Sequence, residues 1–153
     1  LEDKTKWLIQ KNTDYLSYLV DMDESEILPG VLPILQFLKD KKQCIALGSA
    51  SKNARPILEK TGLMAYFDVI VDGNDVTHAK PNPEVFLMAS KILNIKPKHA
   101  IVFEDSVAGI QAANVAGMTS VGIGEKEVLH ESDFCFRDFT EMSNDFIMQL
   151  INK

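Results

Sequence analysis

Cysteine is scarce in this sequence: Cys44 and Cys135 are the two among 153 residues, too few for a disulfide-stapled scaffold. Each is flanked by apolar residues in a strand-like run, so both are expected as buried free thiols in a reducing compartment. Also missing is any apolar run near the roughly 18 residues that a membrane helix needs, and no secretory leader pattern is visible. No membrane partner is expected, and the sequence reads as cytoplasmic. Lys and Arg are nowhere concentrated, and the formal charge is −6. That balance argues against a nucleic-acid partner, because phosphate backbones are held by clustered cations. The three histidines, His78, His99 and His130, lack metal-ligand spacing and read as loop or surface residues. A local cationic site for one small phosphate remains open.

What the sequence does have is material for one core. Hydrophobic positions make up 46% and charged ones 25%, ordinary globular usage at a length that can bury a sizeable interior. From Asp3 to Val20 the residues Trp7, Leu8, Leu16 and Leu19 recur at helical spacing, which predicts an amphipathic helix. The acidic stretch from Asp21 to Glu26 has no apolar period, and Pro29-Gly30 follows it, as expected of a hinge into a new element. Helical and strand-like segments then alternate. Helices are predicted at Val31 to Lys39, Asn53 to Lys60, Pro83 to Leu93 and Val107 to Ala116, with Gly62 and Gly117 as stops. Strands are predicted at Gln43 to Leu47, Phe67 to Val71, Ala100 to Phe103, Thr119 to Ile123 and Phe134 to Phe136, before a terminal helix from Phe139 to Ile151. The alternation predicts an α/β fold, a doubly wound and mostly parallel sheet between layers of helices.

Ligands of such sheets sit beyond the carboxyl ends of the strands, which directs attention to three places. After Leu47 comes Gly48-Ser49-Ala50-Ser51-Lys52-Asn53: hydroxyls, a cation and the N–H groups of a following helix, a set suited to a phosphate dianion. Helix capping by Ser49 or Ser51 is the plainer role. After Val71 a loop leads to Lys80-Pro81, where a lone lysine taken by itself is a solvated loop residue. After Phe103 comes Glu104-Asp105-Ser106. Adjacent carboxylates beside a core are unfavourable unless a cation or hydrogen-bond donors offset them, and a hard oxygen-seeking ion such as Mg²⁺ would do so. Capping of the next helix by Asp105 is the plainer alternative.

The order of these features, one per strand end, resembles motifs two to four of the haloacid dehalogenase superfamily. The strings Leu28-Pro29-Gly30, Ser49-Ala50-Ser51-Lys52-Asn53, Lys80-Pro81-Asn82-Pro83-Glu84-Val85-Phe86 and Glu104-Asp105-Ser106-Val107-Ala108-Gly109-Ile110 resemble its β-phosphoglucomutase-like subfamily. The resemblance covers nearly the whole chain. It implies a Rossmann-like three-layer α/β/α core, with residues 23–153 as a core domain lacking its first strand and residues 1–22 as the remnant of a helical cap. It also implies Mg²⁺-dependent phosphoryl transfer on a small sugar phosphate, interconverting β-glucose 1-phosphate and glucose 6-phosphate. By that resemblance Ser49 hydrogen-bonds the phosphoryl group in transit and Lys80 neutralises its charge. Ser51, Lys52 and Asn53, with Ala50 in the same loop, hold the second phosphate of a sugar bisphosphate, and Glu104 and Asp105 bind the ion. Such roles suit a reaction in which the protein mainly positions groups and neutralises equatorial charge.

One part of the family's pattern is absent. Its members carry Asp-x-Asp-Gly at the end of the first strand, the first Asp attacking phosphorus and the second serving as general acid and base. No such string occurs here. Asp21-Met22-Asp23-Glu24 lacks the glycine and a preceding apolar strand, and it falls where the family has its cap-to-core linker. The expected partner is therefore an N-terminal segment of the same protein carrying that strand, which in this fold lies in mid-sheet. Without it the neighbouring strands would present unpaired edges, and the chain alone would turn over no substrate. Two other readings stay open: a sugar-phosphate or small-phosphate phosphatase of the same family, differing mostly in the cap, and a non-catalytic interaction fragment. A phospho-receiver domain would place its acidic cluster at the first strand, unlike the order Ser49, Lys80, Glu104-Asp105. Roughly 60 to 70 residues are expected upstream of Leu1, opening on an apolar strand and Asp-x-Asp-Gly. Sequencing of the gene checks this, and an upstream frame without the motif leaves only the interaction fragment.

Overall fold

Four helices of the chain end in the same way, and that ending sets its repeating unit. They are α1 (Val31–Asp40), α2 (Ala54–Lys60), α3 (Glu84–Ile92) and α4 (Val107–Val115), in a computed structural model that describes residues 22–153. Just past each helix stands a residue with positive φ: Lys42 at 55°, Gly62 at 71°, Asn94 at 56° and Gly117 at 73°. The next N–H then bonds back across the last turn, Gln43 to the Leu38 carbonyl at 2.9 Å and Met118 to that of Ala113 at 3.1 Å. This closure satisfies otherwise orphaned carbonyls and turns the chain back towards the sheet.

The strands so reached are β1 (Ala46–Gly48), β2 (Val69–Val71), β3 (Ile101–Glu104), β4 (Thr119–Ile123) and β5 (Phe134–Phe136), followed by a final helix α5 (Asn144–Ile151). All pairings are parallel, as the alternation of segments predicts. β1 pairs with β2, Ala46 opposite Val69. β3 pairs with β4 and β4 with β5, Ile101 opposite Thr119 and Val121 opposite Phe134.

Side chains alternate across these strands, and β3 shows what each face meets. Val102 packs with Phe86 and Ala89 of α3 and Ala112 and Ala113 of α4. Ile101 and Phe103 turn the other way, towards Ile34 of α1 and Ile147 and Leu150 of α5. Helices thus cover both faces, giving a three-layer α/β/α architecture. Ala112 and Ala113 are fully buried, and their small size lets α4 lie close against β3 and β4. On the opposite face Phe134 and Phe136 meet Phe146 edge-on, with centroids 5.2 and 4.8 Å apart, a geometry that adds about 0.5–1.5 kcal/mol per pair.

The strands form two sheets rather than one. Among the described residues β1 has β2 as its partner and β3 has β4. The remaining edges of β1 and β3 line a common slot of about 580 Å³, walled by Ile34 and Leu35 of α1 and by Phe86 and Ala89 of α3.

Three local expectations need correction. The first strand spans 46–48 and not 43–47, because the Ile45 N–H donates to Asp68 Oδ2 at 2.8 Å and a side chain takes the place of a ladder bond. The terminal helix begins at Asn144, since Asp138 caps a separate short turn at Phe139–Glu141 and Ser143 caps α5 through the Phe146 N–H. The cysteines are free, as expected, but not buried: Cys44 is exposed and Cys135 half-buried. Cys44 lies before β1 begins, beside the open slot. The helix expected at Asp3 to Val20, and the cap remnant at 1–22 except for Met22, lie outside the described residues. Among the described residues no helix is long and apolar enough to cross a membrane.

Candidate active site

Lys80 reaches across the slot. Its Nζ donates to the Gly48 carbonyl at the end of β1 (3.2 Å) and to Glu104 Oε2 at the end of β3 (2.5 Å). The two side chains retain 13% and 9% exposure, so the pair is shielded from solvent and more strongly coupled than a surface ion pair. Nζ also stands 4.8 Å from the centroid of Phe86, within cation–π range. Lys80 is thus the tie between two strands that do not pair among the described residues.

Glu104 is held on its other oxygen as well. Oε1 accepts from the Ser106 hydroxyl at 2.9 Å, and that hydroxyl oxygen accepts in turn from the Gly109 N–H at 3.0 Å. Ser106 is therefore the N-cap of α4. The alternative role for Asp105, capping this helix, is not the one it has; Asp105 stands exposed next to Glu104. In the first turn of α4 a Cβ at Gly109 would overlap the carboxylate of Glu104. The missing side chain makes the cradle in which that carboxylate rests.

In the loop after β1, Ser49 and Ser51 each accept from the backbone two residues on, from Ser51 N and Asn53 N, both at 3.1 Å. The hydroxyls shape the turn as acceptors, and each keeps its own hydrogen to donate. Ser49, Ala50 and Lys52 line a pocket of about 310 Å³ together with Lys80. Ser51 and Asn53 belong to the turn that leads into α2.

That loop is fastened from β2 by residues the sequence did not single out. Asp72, the first residue after β2, is 1% exposed. It pairs with Arg55, whose Nη2 also reaches the Ile70 carbonyl at 3.0 Å and Asp75 at 3.1 Å. Asp72 accepts from Asn74 N at 2.8 Å, Asn74 Nδ2 donates to the Lys52 carbonyl at 3.0 Å, and Gly73 N donates to the Ser51 carbonyl at 3.1 Å. Backbone N–H donation from Asp72, then the Arg55 guanidinium, hold the Asp75 carboxyl below its ordinary value. A depressed carboxylate stabilises the fold above its unfolded value and loses that contribution as pH falls through its folded one, so the clasp persists at neutral pH. The signal that could have found Asp72 is its place: it follows an apolar strand directly, as Ser49 and Glu104 nearly do.

The acidic pair has the chemistry that a hard metal ion would take. Two adjacent carboxylates are hard oxygen donors of the kind Mg²⁺ takes, and the Gly109 cradle keeps space for one of them. Among the described residues no group of three His, Cys, Asp or Glu side chains is gathered, so further ligands would be water, phosphate oxygens or a group from elsewhere.

Comparison with known proteins gives this geometry a context. Residues 1–117 match the family model of haloacid dehalogenase-like hydrolases. The chain is 31% identical over 145 residues to a β-phosphoglucomutase of Bacillus subtilis, covering 95% of this chain and 64% of that protein. It is 36% identical over 102 residues to a fructose-1-phosphate phosphatase of Escherichia coli, covering 67% and 54%. Among solved structures, a β-phosphoglucomutase from Clostridium difficile superposes with a TM-score of 0.92 at 36% identity, over 99% of this chain and 68% of that one. The chain thus spans a little over half to about two thirds of these relatives.

The Gly109 cradle yields a test. Gly109→Ala is expected to push the Glu104 carboxylate off Lys80 and lower stability by about 1–3 kcal/mol, the scale of an overpacked site. Gly117→Ala, at a position where a Cβ meets nothing within 4 Å but φ is positive, serves as the control for backbone cost alone. Thermal melts of both, with Glu104→Gln in each background, check the assignment: additive losses for Gly109→Ala and Glu104→Gln contradict it.

Proposed function

This chain belongs to the haloacid dehalogenase-like hydrolase family, and from that premise we propose that it is the core of a phosphoryl-transfer enzyme, a β-phosphoglucomutase. The observation that carries the reading is the Lys80 bridge: one largely shielded cation joins the carboxyl ends of β1 and β3 beside Ser49. A phosphoryl group in transit spreads negative charge over its equatorial oxygens, and a preorganised cation in a shielded site stabilises such charge without reorganising. In this reading Lys80 neutralises the phosphoryl group and Ser49 donates its hydroxyl hydrogen to it. Ala50, Ser51, Lys52 and Asn53 form the loop that receives a second phosphate, with Lys52 as its cation. Glu104 and Asp105 would hold Mg²⁺, which when bound supplies further neutralisation of phosphoryl charge.

In this reading the nucleophile is an aspartate on a further strand bearing Asp-x-Asp-Gly, and the apolar slot lined by the free edges of β1 and β3 supports it as the place for that strand. It forms an aspartyl-phosphate, and the sugar bisphosphate reorients before the second transfer. The chain by itself is expected to be inactive. The similarity to a fructose-1-phosphate phosphatase supports a second reading, a sugar-phosphate phosphatase with the same core chemistry.

Two measurements on the full-length protein test this. Asp105→Asn should raise the magnesium concentration needed for half-maximal activity about tenfold or more and lower the maximal rate, as removal of a charged ligand does; an unaltered magnesium dependence removes the acidic pair from the metal. Lys52→Ala separates the two reactions. In a mutase remote binding energy on the far phosphate positions the second transfer, whereas a phosphatase acting on a monophosphate has no second phosphate to hold. Isomerisation of β-glucose 1-phosphate should therefore fall far more than hydrolysis of acetyl phosphate. Equal losses, or no isomerisation by the unmodified enzyme primed with the bisphosphate, favour the phosphatase.

A further inference from the structure

The pocket of about 310 Å³ behind Ser49 is lined by Lys52, Lys80 and His78, and by no carboxylate among the described residues. Its size is at the small end of ligand sites, which run to about 300–1,000 Å³, and its charge favours an anionic group. Lys80 is already engaged by Glu104 and the Gly48 carbonyl. Lys52 and His78 are the cation and the imidazole left to meet what enters.

His78 differs from an ordinary loop histidine in being held. Its Nδ1 lies 2.8 Å from Glu84 Oε2. The same carboxylate accepts from Thr77 N and His78 N, each at 2.8 Å. Glu84 is the first residue of α3, and its own N–H donates to Asn82 Oδ1 at 3.0 Å, so the acceptor is itself fixed in place. Those bonds, that of Thr77 N first, hold the Glu84 carboxyl below its ordinary value. An ionised carboxylate can only accept, so Nδ1 carries the proton and Nε2 is the nitrogen left over. The side chain is 66% exposed, which keeps that nitrogen open to a ligand. The two backbone N–H bonds to Glu84 would fix the turn without an imidazole; the third bond fixes the ring.

We propose that His78 is a specificity-determining residue: through Nε2 it hydrogen-bonds the non-transferring phosphate of a bisphosphorylated substrate, beside Lys52, while Glu84 is the positioning residue that aims the ring. Nε2 accepts from a protonated phosphate oxygen, or donates to an ionised one when the ring is charged. The assignment rests on the phosphoryl-transfer reading above, and it adds to that reading a side chain outside the Ser49 to Asn53 loop.

The test uses the full-length protein and compares kcat/KM for glucose 1,6-bisphosphate with kcat/KM for acetyl phosphate, which has no second phosphate. His78→Asn keeps an amide close to Nδ1 for Glu84 and removes the atom at Nε2. It should lower the ratio about tenfold, chiefly through KM for the bisphosphate, the scale of one hydrogen bond to a charged group. Impaired folding lowers both terms together and leaves the ratio alone. His78→Gln, whose amide reaches the Nε2 position, should recover part of the loss. Glu84→Gln should lower the ratio by a smaller factor, and an unaltered ratio there removes the positioning role. An unaltered ratio in His78→Asn overturns the proposal and leaves the histidine as part of the turn. If the unmodified protein turns over neither compound, the phosphoryl-transfer reading falls instead. Calorimetric titration with glucose 1,6-bisphosphate then decides His78 separately: tenfold weaker binding by His78→Asn supports it, and equal binding, or none by either protein, overturns it.

Discussion

Lys80 is the constraint on which the rest of the site depends, because it joins two strands that have no hydrogen bond between them. β1 and β3 each use one edge on a parallel neighbour and turn the other to the slot. An open strand edge normally has backbone partners or water. At the carboxyl end of this slot a side chain substitutes, one Nζ bonding a carbonyl on one side and a carboxylate on the other. Removing either partner of such a shielded pair leaves an uncompensated charge, at a cost of about 3–5 kcal/mol. The ends of the two strands are therefore fixed relative to each other at the carboxyl end of the slot.

The same site shows how a shielded carboxylate and a helix cap coexist so closely. Glu104 and Asp105 precede α4, whose first turn needs an acceptor for its free N–H groups. Had Asp105 served as the cap, its oxygens would face the helix. Ser106 takes the task instead and lends its hydrogen to Glu104, so a neutral hydroxyl satisfies both the helix and one carboxylate oxygen. The glycine one turn further on leaves the space that makes this arrangement possible.

Much of the fold and part of the site were legible in the sequence, for identifiable reasons. Apolar runs and their punctuation located every strand, and Gly62 and Gly117 marked two helix ends because positive φ favours glycine. Lys42 and Asn94 make the same turn without a glycine to announce it. Ser49, Lys80 and the Glu104-Asp105 pair stood out because each follows an apolar strand or a proline-marked loop. Arg55, Asp72 and Asn74 did not, since their meaning lies in contacts between the β1 and β2 loops that composition does not encode. His78 was set aside for lack of metal-ligand spacing, a criterion blind to an imidazole fixed by a carboxylate six residues later. Cys44 shows the opposite error: apolar neighbours promised burial, yet a thiol placed before β1 remains exposed beside the slot.

The distribution of rigidity along the three loops follows from these contacts. The β1 loop is clasped twice from the β2 loop, through the carbonyls of Ser51 and Lys52, while the Lys52 side chain stays exposed. Its backbone is held and its charge is solvent-exposed, on a long side chain with several rotatable bonds. Lys80 has the reverse character, a charge pinned at both ends of its reach. A pinned cation fixes where a charge stands, and an exposed one leaves its ammonium to the solvent. Two lysines in one pocket of about 310 Å³ therefore differ in kind: the inner one is bonded to both strand ends, and the outer one keeps its ammonium exposed.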